Sequence, residues 1–570
     1  RAAERATAMQ AHEEAVRHYL LACGALPSNA ATDAQRCSLL LCLGDAQNSA
    51  GDSSRALATF ADAAACARRL GDASLLARSA IGFGNAQWRQ GSEGSKAVAL
   101  IREALTLAAP AETRERVSLL SALCRALLFS NRPDEAEAAF REAVAIARRI
   151  DDPLTLFRAL IAIVPGRWYP DRLALRIDAA REAIELMRRA PQLDWPVSTL
   201  TGWYAGDLME FGDTAAATAT VRFHLVTSEA TREPFNEATA LVALAMIAAH
   251  EGRFAESEQL ALQALRCGAR FDRANASGIF GVQMFTIRRQ QGRLGELAPV
   301  LRQFLDSESQ AATWRPGLAV LHCELGSRDE ARDVFEKLAG DGFAGIANDA
   351  IWVASIAYLA EVCVWLGDAA RAARLYDLLM PYAERNIVFG AHTASFGAAA
   401  RLLGMLATTL QRWDAAEQHF DYALAFDART GARPWLAHSR CEFAAMLMRR
   451  AHSGDPDRAL PLLAAALTDA RELGMRGLEE RALGLQQQLA KGRRPEVHPQ
   501  DGRAAGLSER EVQVLRLVAA GKTNQEIATA LCRSPSTVAI HVRNILGKTQ
   551  AANRAEAAAF AVRHGLMPPA

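Results

Sequence analysis

The sequence predicts an all-α protein in which a long array of helical repeats is followed by a small four-helix domain. Half of the 570 residues are apolar but only 6% are aromatic, a composition that favours helix-on-helix packing. A pattern of small and aromatic residues recurs roughly every 40 residues along most of the chain, as repeat proteins require. After residue 490 the charge changes and closely spaced helix-start signals appear. These three observations give the fold class.

In the clearest copies of the repeat a glycine or asparagine lies five positions before a small residue, which is followed by an aromatic or apolar residue four positions on and another apolar residue three positions further. In the clearest copy these are Gly51, Ala56, Phe60 and Ala63. We expect the glycine to end one helix, since it tolerates positive φ, and the other three to share one face of the next helix. The small position of the other copies falls at Ala15, Ala97, Ala136, Ala179, Ala217, Ser257, Leu297, Ala331, Ala372, Ala416 and Ala459.

The first helix of several repeats carries a pair such as Leu43-Gly44 or Leu359-Ala360. With the series of the second helix, these pairs resemble tetratricopeptide repeats over residues 1–488. The resemblance implies an α-solenoid whose concave surface binds an inducer or a partner protein. The segment from Tyr358 to Met475 is also similar to the repeats of large ATP-dependent, MalT-like regulators and of sensor-coupled nucleotide cyclases.

The remaining patterns exclude several classes of protein. The ten cysteines form no CxxC pair and adjoin no histidine cluster, so we expect core residues in a reducing compartment and no metal site. We expect a cytoplasmic protein without membrane contact, because the chain lacks both a long apolar run and a signal peptide. The string AAGKT at 519–523 is not a phosphate-binding loop, since Arg516 occupies the position of the first glycine. No catalytic residue and no cofactor is therefore assigned to this chain.

Four tryptophans are expected to pack in the core or at turns: Trp88, Trp365, Trp413 and Trp435.

The repeat pattern stops near Leu489, and residues 489–506 contain prolines, glycines and several arginines, as a linker does. From Lys491 onward there are 12 lysines and arginines against 6 acidic residues, whereas the rest of the chain has 53 against 58. Positive charge is therefore concentrated beside the last domain, residues 507–570. Such segregation is typical of a domain that binds nucleic acid.

Four helices are predicted in this domain, at about 508–520, 524–531, 535–549 and 554–564. Three capping boxes mark helix starts, namely Ser508 with Glu511, Thr523 with Glu526, and Asn553 with Glu556. Ser534, followed by Pro535, is predicted to cap the third helix.

Only residues 532–534 separate the second and third helices, the short turn that a helix-turn-helix motif needs. The spacing places one face of the third helix in the core and leaves the other free to enter a major groove. We expect Val538, Val542, Ile545 and Thr549 to face the core, and Ser536, Ala539, Ile540, Arg543 and Gly547 to face outward.

The string LSEREVQVLRLVAAGKTNQEIATALCRSPSTVAIHVRNILGKTQAANRAEAAAF, continuing to the end of the last helix, resembles the LuxR-type DNA-binding domain. The resemblance implies a bacterial transcription regulator whose third helix reads double-stranded DNA. It implies base contacts from the positions of Ala539, Ile540 and Arg543, and a phosphate contact from Lys548. Ala539 and Gly547 depart from the family, which commonly has basic residues at both positions. The residues assigned to DNA are Lys522, Thr523, Asn524, Ser536, Thr537, Ala539, Ile540, His541, Arg543, Lys548 and Arg554.

The resemblance also implies a homodimer on DNA through residues 554–564. Because the chain begins at Arg1 within a helical pattern, we expect a piece of a longer protein, and MalT-like relatives place an ATP-binding domain before their repeats. Two other interpretations remain open: a solenoid scaffold for protein interactions, and the regulatory half of a cyclase-type sensor. Neither needs a basic terminal domain, so that domain discriminates among the three.

Overall fold

Paired helices make up most of the residues that the computed structural model describes. It describes residues 1–27, 32–90, 93–108, 111–165, 170–193, 198–231, 234–297, 308–346, 349–390, 392–493, 507–531, 533–549, 551–563 and 566. Two compact units are present, Arg1–Leu485 and Gln486–Ala570. The predicted fold class, an all-α solenoid followed by a four-helix helix-turn-helix domain, is confirmed.

The first half of the solenoid consists of short helices that pack against their sequence neighbours. They are α1 Ala2–Ala8, α2 His12–Ala25, α3 Asp33–Ser49, α4 Ser53–Leu70, α5 Ala73–Gln90, α6 Ser95–Leu107, α7 Arg114–Leu128, α8 Pro133–Ile150, α9 Pro153–Leu160, α10 Leu173–Arg189, α11 Ser198–Phe211 and α12 Thr214–Thr231.

The second half continues the same arrangement with a two-stranded insertion. Its elements are α13 Pro234–His250, α14 Phe254–Gly268, α15 Arg273–Gln290, α16 Glu308–Glu324, α17 Arg328–Ala339, α18 Trp352–Leu366, α19 Ala369–Leu379, β1 Asn386–Phe389, β2 Ala394–Ala398, α20 Ala399–Thr409, α21 Trp413–Thr430, α22 Arg433–Arg450, α23 Asp455–Leu473 and α24 Arg476–Arg493. Short 3-10 helices lie at Pro170–Arg172, Leu294–Leu297 and Met380–Tyr382.

The turn residues of the repeats adopt the predicted backbone conformation. Gly51 follows α3 with φ of 88°, and Gly367 ends α18 with φ of 74°. In the copy at Gly454 the arrangement differs, because Ala451 is the C-cap residue of α22 and Gly454 is instead the N-cap residue of α23. The copy at Leu297 is also atypical, since that residue lies in a 3-10 helix.

In these repeats the aromatic residue of the second helix packs against the small residue of the first helix. A Cβ added at Gly44 in α3 would lie 2.7 Å from the ring of Phe60 in α4, and one at Gly404 in α20 would lie 2.9 Å from the ring of Phe420 in α21. Both rings are 1% exposed. The repeat pattern is therefore a packing pattern, in which close helix approach depends on the missing side chain.

The antiparallel hairpin of β1 and β2 was not predicted. It is buried against the solenoid helices, and its polar groups are satisfied by distant residues. Asn386 donates from Nδ2 to the carbonyl oxygen of Met209 at 3.0 Å, and Ser395 Oγ lies 2.8 Å from His250 Nδ1. These partners are more than a hundred residues away along the chain, so the local pattern gives no sign of them.

Other predicted features have mixed outcomes. All nine described cysteines are free, and six of them are buried. Trp88 and Trp435 are buried, whereas Trp365 is 37% exposed beneath the guanidinium of Arg328, because it lies at the end of α18.

Helix α24 reaches Arg493, so residues 489–493 of the predicted linker are helical, and 494–506 lie outside the described residues. The predicted domain boundaries remain predictions.

Among the described residues, no helix combines the length and apolar character that crossing a membrane requires.

Candidate nucleic-acid interface

Four helices form the carboxyl-terminal unit around one apolar core. They are α25 Glu509–Ala519, α26 Asn524–Ala530, α27 Pro535–Thr549 and α28 Arg554–Arg563. The core side chains come from all four helices and from both ends of the domain: Leu507, Val514, Leu515, Val518, Ile527, Ala528, Val538, Ile545, Ala557, Ala561 and Leu566.

Capping interactions fix the starts of the helices. Both reciprocal hydrogen bonds of the capping box are present at Ser508 with Glu511 and at Thr523 with Glu526. Ser534 accepts at Oγ from the backbone N–H of Thr537 at 3.2 Å.

The third predicted box is modified. Asn553 accepts from the backbone N–H of Glu556 at 3.0 Å, but Glu556 accepts in return from the N–H of Ala552, at 2.8 Å, rather than from that of Asn553. The geometry still provides side-chain acceptors for backbone donors at this helix start.

Helix α27 separates a core face from an exposed face, as predicted. Val538 and Ile545 are each 1% exposed, and Val542 packs partly buried against the core. On the other side the apolar side chain of Ile540 is 55% exposed. Also exposed on α27 are Ser536, Ala539, Arg543, Asn544 and Gly547.

Asn544 belongs to this exposed face but was missed in the sequence. It lies four residues after Ile540 and three before Gly547, which is the spacing of one helical face. An amide side chain at such a position can donate to and accept from a base edge. The helical spacing alone would have identified it.

Lys548 is engaged within the domain. Its Nζ lies 2.7 Å from Oε2 of Glu511, and the side chain of Glu511 is only 4% exposed whereas that of Lys548 is 42% exposed. Burial tends to raise the pKa of the Glu511 carboxyl, but the hydrogen bonds from Lys548 and Ser508 outweigh it and hold that pKa below its usual value. The lysine thus neutralises the capping carboxylate and still reaches solvent.

Arg554 is also held within the domain. It donates from Nη1 to Asn524 Oδ1 at 2.9 Å and from Nη2 to the carbonyl oxygen of Lys522. It therefore ties the start of α28 to the start of α26. Lys522 has its own ionic neighbour, Glu526, at 3.7 Å.

Two cations of the helix-turn-helix, Arg533 and Arg543, have no such contact within the described residues. Both side chains are exposed, and neither has an ion pair within the described residues. Arg543 lies on the exposed face of α27, and Arg533 lies in the turn before it. Exposed arginines without partners can bind phosphate or guanine without first breaking an internal contact.

The remaining predicted contacts lie at the starts of α26 and α27 or next to the core face of α27. Ser536 and Thr537 each have their hydroxyl 2.8 Å from Ser534 Oγ. His541 is half-buried, and its Nδ1 is buried without a hydrogen-bond partner among the described residues. Thr523 is exposed at the start of α26 and serves as its cap. The DNA roles of all these residues remain predictions.

Comparison with known families identifies this unit. The family model described as "Bacterial regulatory proteins, luxR family" matches residues 505–561. The carboxyl-terminal unit is a luxR-family helix-turn-helix domain. The predicted resemblance is therefore confirmed for this unit, whereas the match does not extend to the solenoid.

Similar curated proteins match the same region. The chain is 50% identical over 60 residues to "Uncharacterized transcriptional regulatory protein YhcZ" of Bacillus subtilis, which covers 10% of this chain and 28% of that protein. It is 44% identical over 61 residues to "Response regulator protein VraR" of Staphylococcus aureus, covering 11% of this chain and 29% of VraR. The chain thus spans less than a third of the length of these relatives.

A similar solved structure is "Crystal structure of APC/C hetero-tetramer Cut9-Hcn1", with 13% identity and a TM-score of 0.35 over 85% of this chain and 95% of that one. "Structure of Naa15/Naa10 bound to HypK-THB" has 10% identity and a TM-score of 0.21, over 86% and 88% of the two chains. At such low scores neither likeness carries an argument about function.

Proposed function

We propose that this protein is a transcription regulator whose luxR-family domain inserts α27 into the major groove of double-stranded DNA. The observation that carries the proposal is the two-sided character of α27. Val538 and Ile545 anchor it in the core, while Ile540 and Arg543 project from the opposite face. An exposed apolar side chain beside a free arginine suits a thymine methyl and a guanine edge.

Affinity for duplex DNA measured against salt tests this proposal. The logarithm of the binding constant falls linearly with the logarithm of the salt concentration, and each phosphate that the protein neutralises is expected to make that slope more negative by about 0.9. With Arg533, Arg543 and Lys522 at the surface, we expect a slope of about −3 or steeper for the full chain. A random-sequence duplex labelled with fluorescein provides the readout by anisotropy. An affinity that does not change between low and high salt would refute DNA binding by this domain.

A dimer on DNA through α28 is part of the same proposal. Ala557 and Ala561 are buried in the domain's own core, so they cannot form a contact between copies. Ala555, Ala559 and Val562 remain exposed at spacings of four and three, and Val562 is 58% exposed. This narrow apolar stripe supports a small helix-helix contact.

Substitution of that stripe tests the dimer. Val562→Glu is expected to leave the domain folded, since the side chain is exposed, but to abolish the two-to-one stoichiometry on a duplex that carries two half-sites. Native mass spectrometry of the complex measures that stoichiometry. Unchanged stoichiometry would exclude α28 as the contact.

For the solenoid we propose a sensing role, in which a ligand or partner on the repeats changes the activity of the DNA-binding domain. Its support is architectural: a repeat array presents an extended surface and enclosed clefts to a ligand. Measuring DNA affinity of the full chain with and without a ligand bound to the solenoid tests the coupling.

A further inference from the structure

A cavity of about 560 Å³ lies inside the solenoid, between helices α15, α16, α18, α20, α21, α22 and α24. Its volume is in the range of small-molecule sites, roughly 300–1,000 Å³. Large apolar side chains form much of its wall. They include Val320, Trp365, Met405, Phe420, Trp435 and Met446.

Two arginines meet a single carboxylate in the lining of the cavity. Glu361 accepts from Arg289 at 2.6 Å and from Arg401 at 2.8 Å. Arg289 also contacts Glu324 at 2.8 Å. Burial raises the pKa of Glu361, but the two guanidinium groups outweigh it and lower that pKa to about 2. Glu361 is therefore ionised, and its two oxygens accept from the two arginines.

The other lining charges leave one positive charge unbalanced. Glu442 pairs with Arg481 at 2.6 Å. Arg449 lines the same cavity, is exposed, and has no ion pair in the described part of the chain. Four arginines thus face three carboxylates in the lining, and every one of those carboxylates already has an arginine partner.

Arg401 has an unused donor. Its side chain is 3% exposed, its Nη2 binds Glu361, and its Nη1 donates to Met405 Sδ at 3.4 Å, a weak acceptor. Its Nε is buried without a hydrogen-bond partner. The guanidinium also lies 5.1 Å from the centre of the Trp435 ring. A buried charged donor without an acceptor is costly, and an acceptor supplied by a ligand would remove that cost.

We infer that this cavity binds a small organic anion, with an apolar body against the tryptophan and methionine side chains and an acidic oxygen group directed to Arg401 and Arg449. The regulatory meaning of such binding rests on the proposed function, whereas the binding itself does not. An anion of this kind supplies the acceptor for Arg401 and balances the surplus charge of Arg449. Carboxylate and phosphate compounds share this chemistry.

A matched pair of fluorescent probes tests the inference on the full chain. The first probe is 8-anilinonaphthalene-1-sulfonate, and the second is N-phenyl-1-naphthylamine, the same ring system without the sulfonate. We expect saturable binding of one sulfonate probe per chain, at least about tenfold tighter than the uncharged probe. Displacement by 4-phenylbutyrate would indicate a carboxylate ligand, and displacement by phenyl phosphate a phosphate ligand.

Two variants locate the binding. Arg449→Gln is expected to weaken the sulfonate probe about tenfold and to leave the uncharged probe unchanged. Trp365→Ala is expected to weaken both probes. Arg332→Gln and Trp413→Ala are the controls, since Arg332 is an exposed arginine on α17 and neither residue lines the cavity. Circular dichroism melts establish that each variant is folded.

The inference is overturned if the sulfonate probe does not saturate, if both probes bind equally well, or if Arg449→Gln and Trp365→Ala change nothing. These outcomes are separate from failure of the proposed function. The salt dependence of DNA binding concerns residues 507–563, and we expect Arg449→Gln to leave its slope unchanged because that residue lies in the solenoid.

Discussion

The solenoid and the luxR-family domain place their charges differently. Inside the solenoid Arg176 and Asp207 pair at 2.9 Å with no exposure, and Glu361 joins two further arginines. In the described part of the terminal domain Glu511 is the one buried carboxylate, while Arg533 and Arg543 remain at the surface. Buried pairs are costly to break because a lone charge is left behind. The first arrangement fixes an interior, and the second keeps positive charge available to a polyanion.

The largest effect is expected from Glu361→Gln, which leaves Arg289 and Arg401 without their shared carboxylate. Removing one member of a buried ion pair costs about 3 kcal/mol or more. Urea unfolding followed by tryptophan fluorescence reports on the solenoid alone, because all nine tryptophans precede residue 436. Glu324→Gln is the control: that carboxylate is 41% exposed, so we expect a loss of about 1 kcal/mol or less.

Comparison of the wild-type protein with Glu361→Gln also gives a pH test. The pKa of Glu361 is about 2 in the folded chain, against about 4.3 when unfolded. Its contribution is therefore complete above about pH 4.3 and is lost as the pH falls toward 2. The difference between wild type and Glu361→Gln should shrink from pH 7 to pH 3. A constant difference would show that the charge of this carboxylate is not what stabilises the site.

Next in size is Gly404→Ala, a test of helix packing in the solenoid. The new Cβ would lie 2.9 Å from the ring of Phe420, which is stacked on Phe443 with ring centres 5.4 Å apart. Overpacking of this kind costs roughly 1–3 kcal/mol. Gly278→Ala on α15 meets nothing within 4 Å and should stabilise by up to about 1 kcal/mol. Equal urea midpoints for the two variants would contradict the packing role.

In the terminal domain, Arg543→Ala is expected to reduce discrimination between duplexes by roughly 1–3 kcal/mol. Duplexes enriched from a random library provide preferred and disfavoured sequences for a gel-shift series. Arg510→Ala removes one exposed arginine from α25 and controls for the loss of charge alone. If both variants lose affinity equally on all sequences, Arg543 contacts phosphate and does not read bases.

The smallest effect is expected from Gly547→Ala on α27. A Cβ there meets nothing within 4 Å, and alanine favours a helix over glycine by about 1 kcal/mol. Amide hydrogen exchange of the peptide covering residues 540–549 should slow. Gly521→Ala is a control for which we expect the opposite effect, a loss of stability. The φ of Gly521 is 76°, a value that strains any residue other than glycine. Faster exchange in Gly547→Ala would show that this position is not regular helix.

The sequence predicted features that depend on neighbours within about two helical turns. The caps at Ser508 and Thr523 and the two faces of α27 are as predicted, because caps and helical faces join residues three or four positions apart. The spacing of Ala56 and Phe60 predicted a packed face for the same reason, and both side chains are buried.

Features that join residues distant along the chain were not predicted from the sequence. The hairpin at β1 and β2 depends on Met209 and His250 for its polar partners. Lys548 meets Glu511 across 37 residues, whereas the sequence suggested only a phosphate contact. Ion pairs between helices depend on crossing angles and helix order, which a local pattern does not encode.

The sequence by itself determined the helical class, the repeat, the segregation of positive charge and the identity of the face that α27 leaves exposed. The charge follows from composition, and the other three follow from periodicity and capping, which are local. Only the tertiary structure decided which cations are free, because Lys548 and Arg554 acquire partners only when α25, α26, α27 and α28 pack together. It alone also assembled the cavity that Arg401 lines, since the lining residues come from seven separate helices.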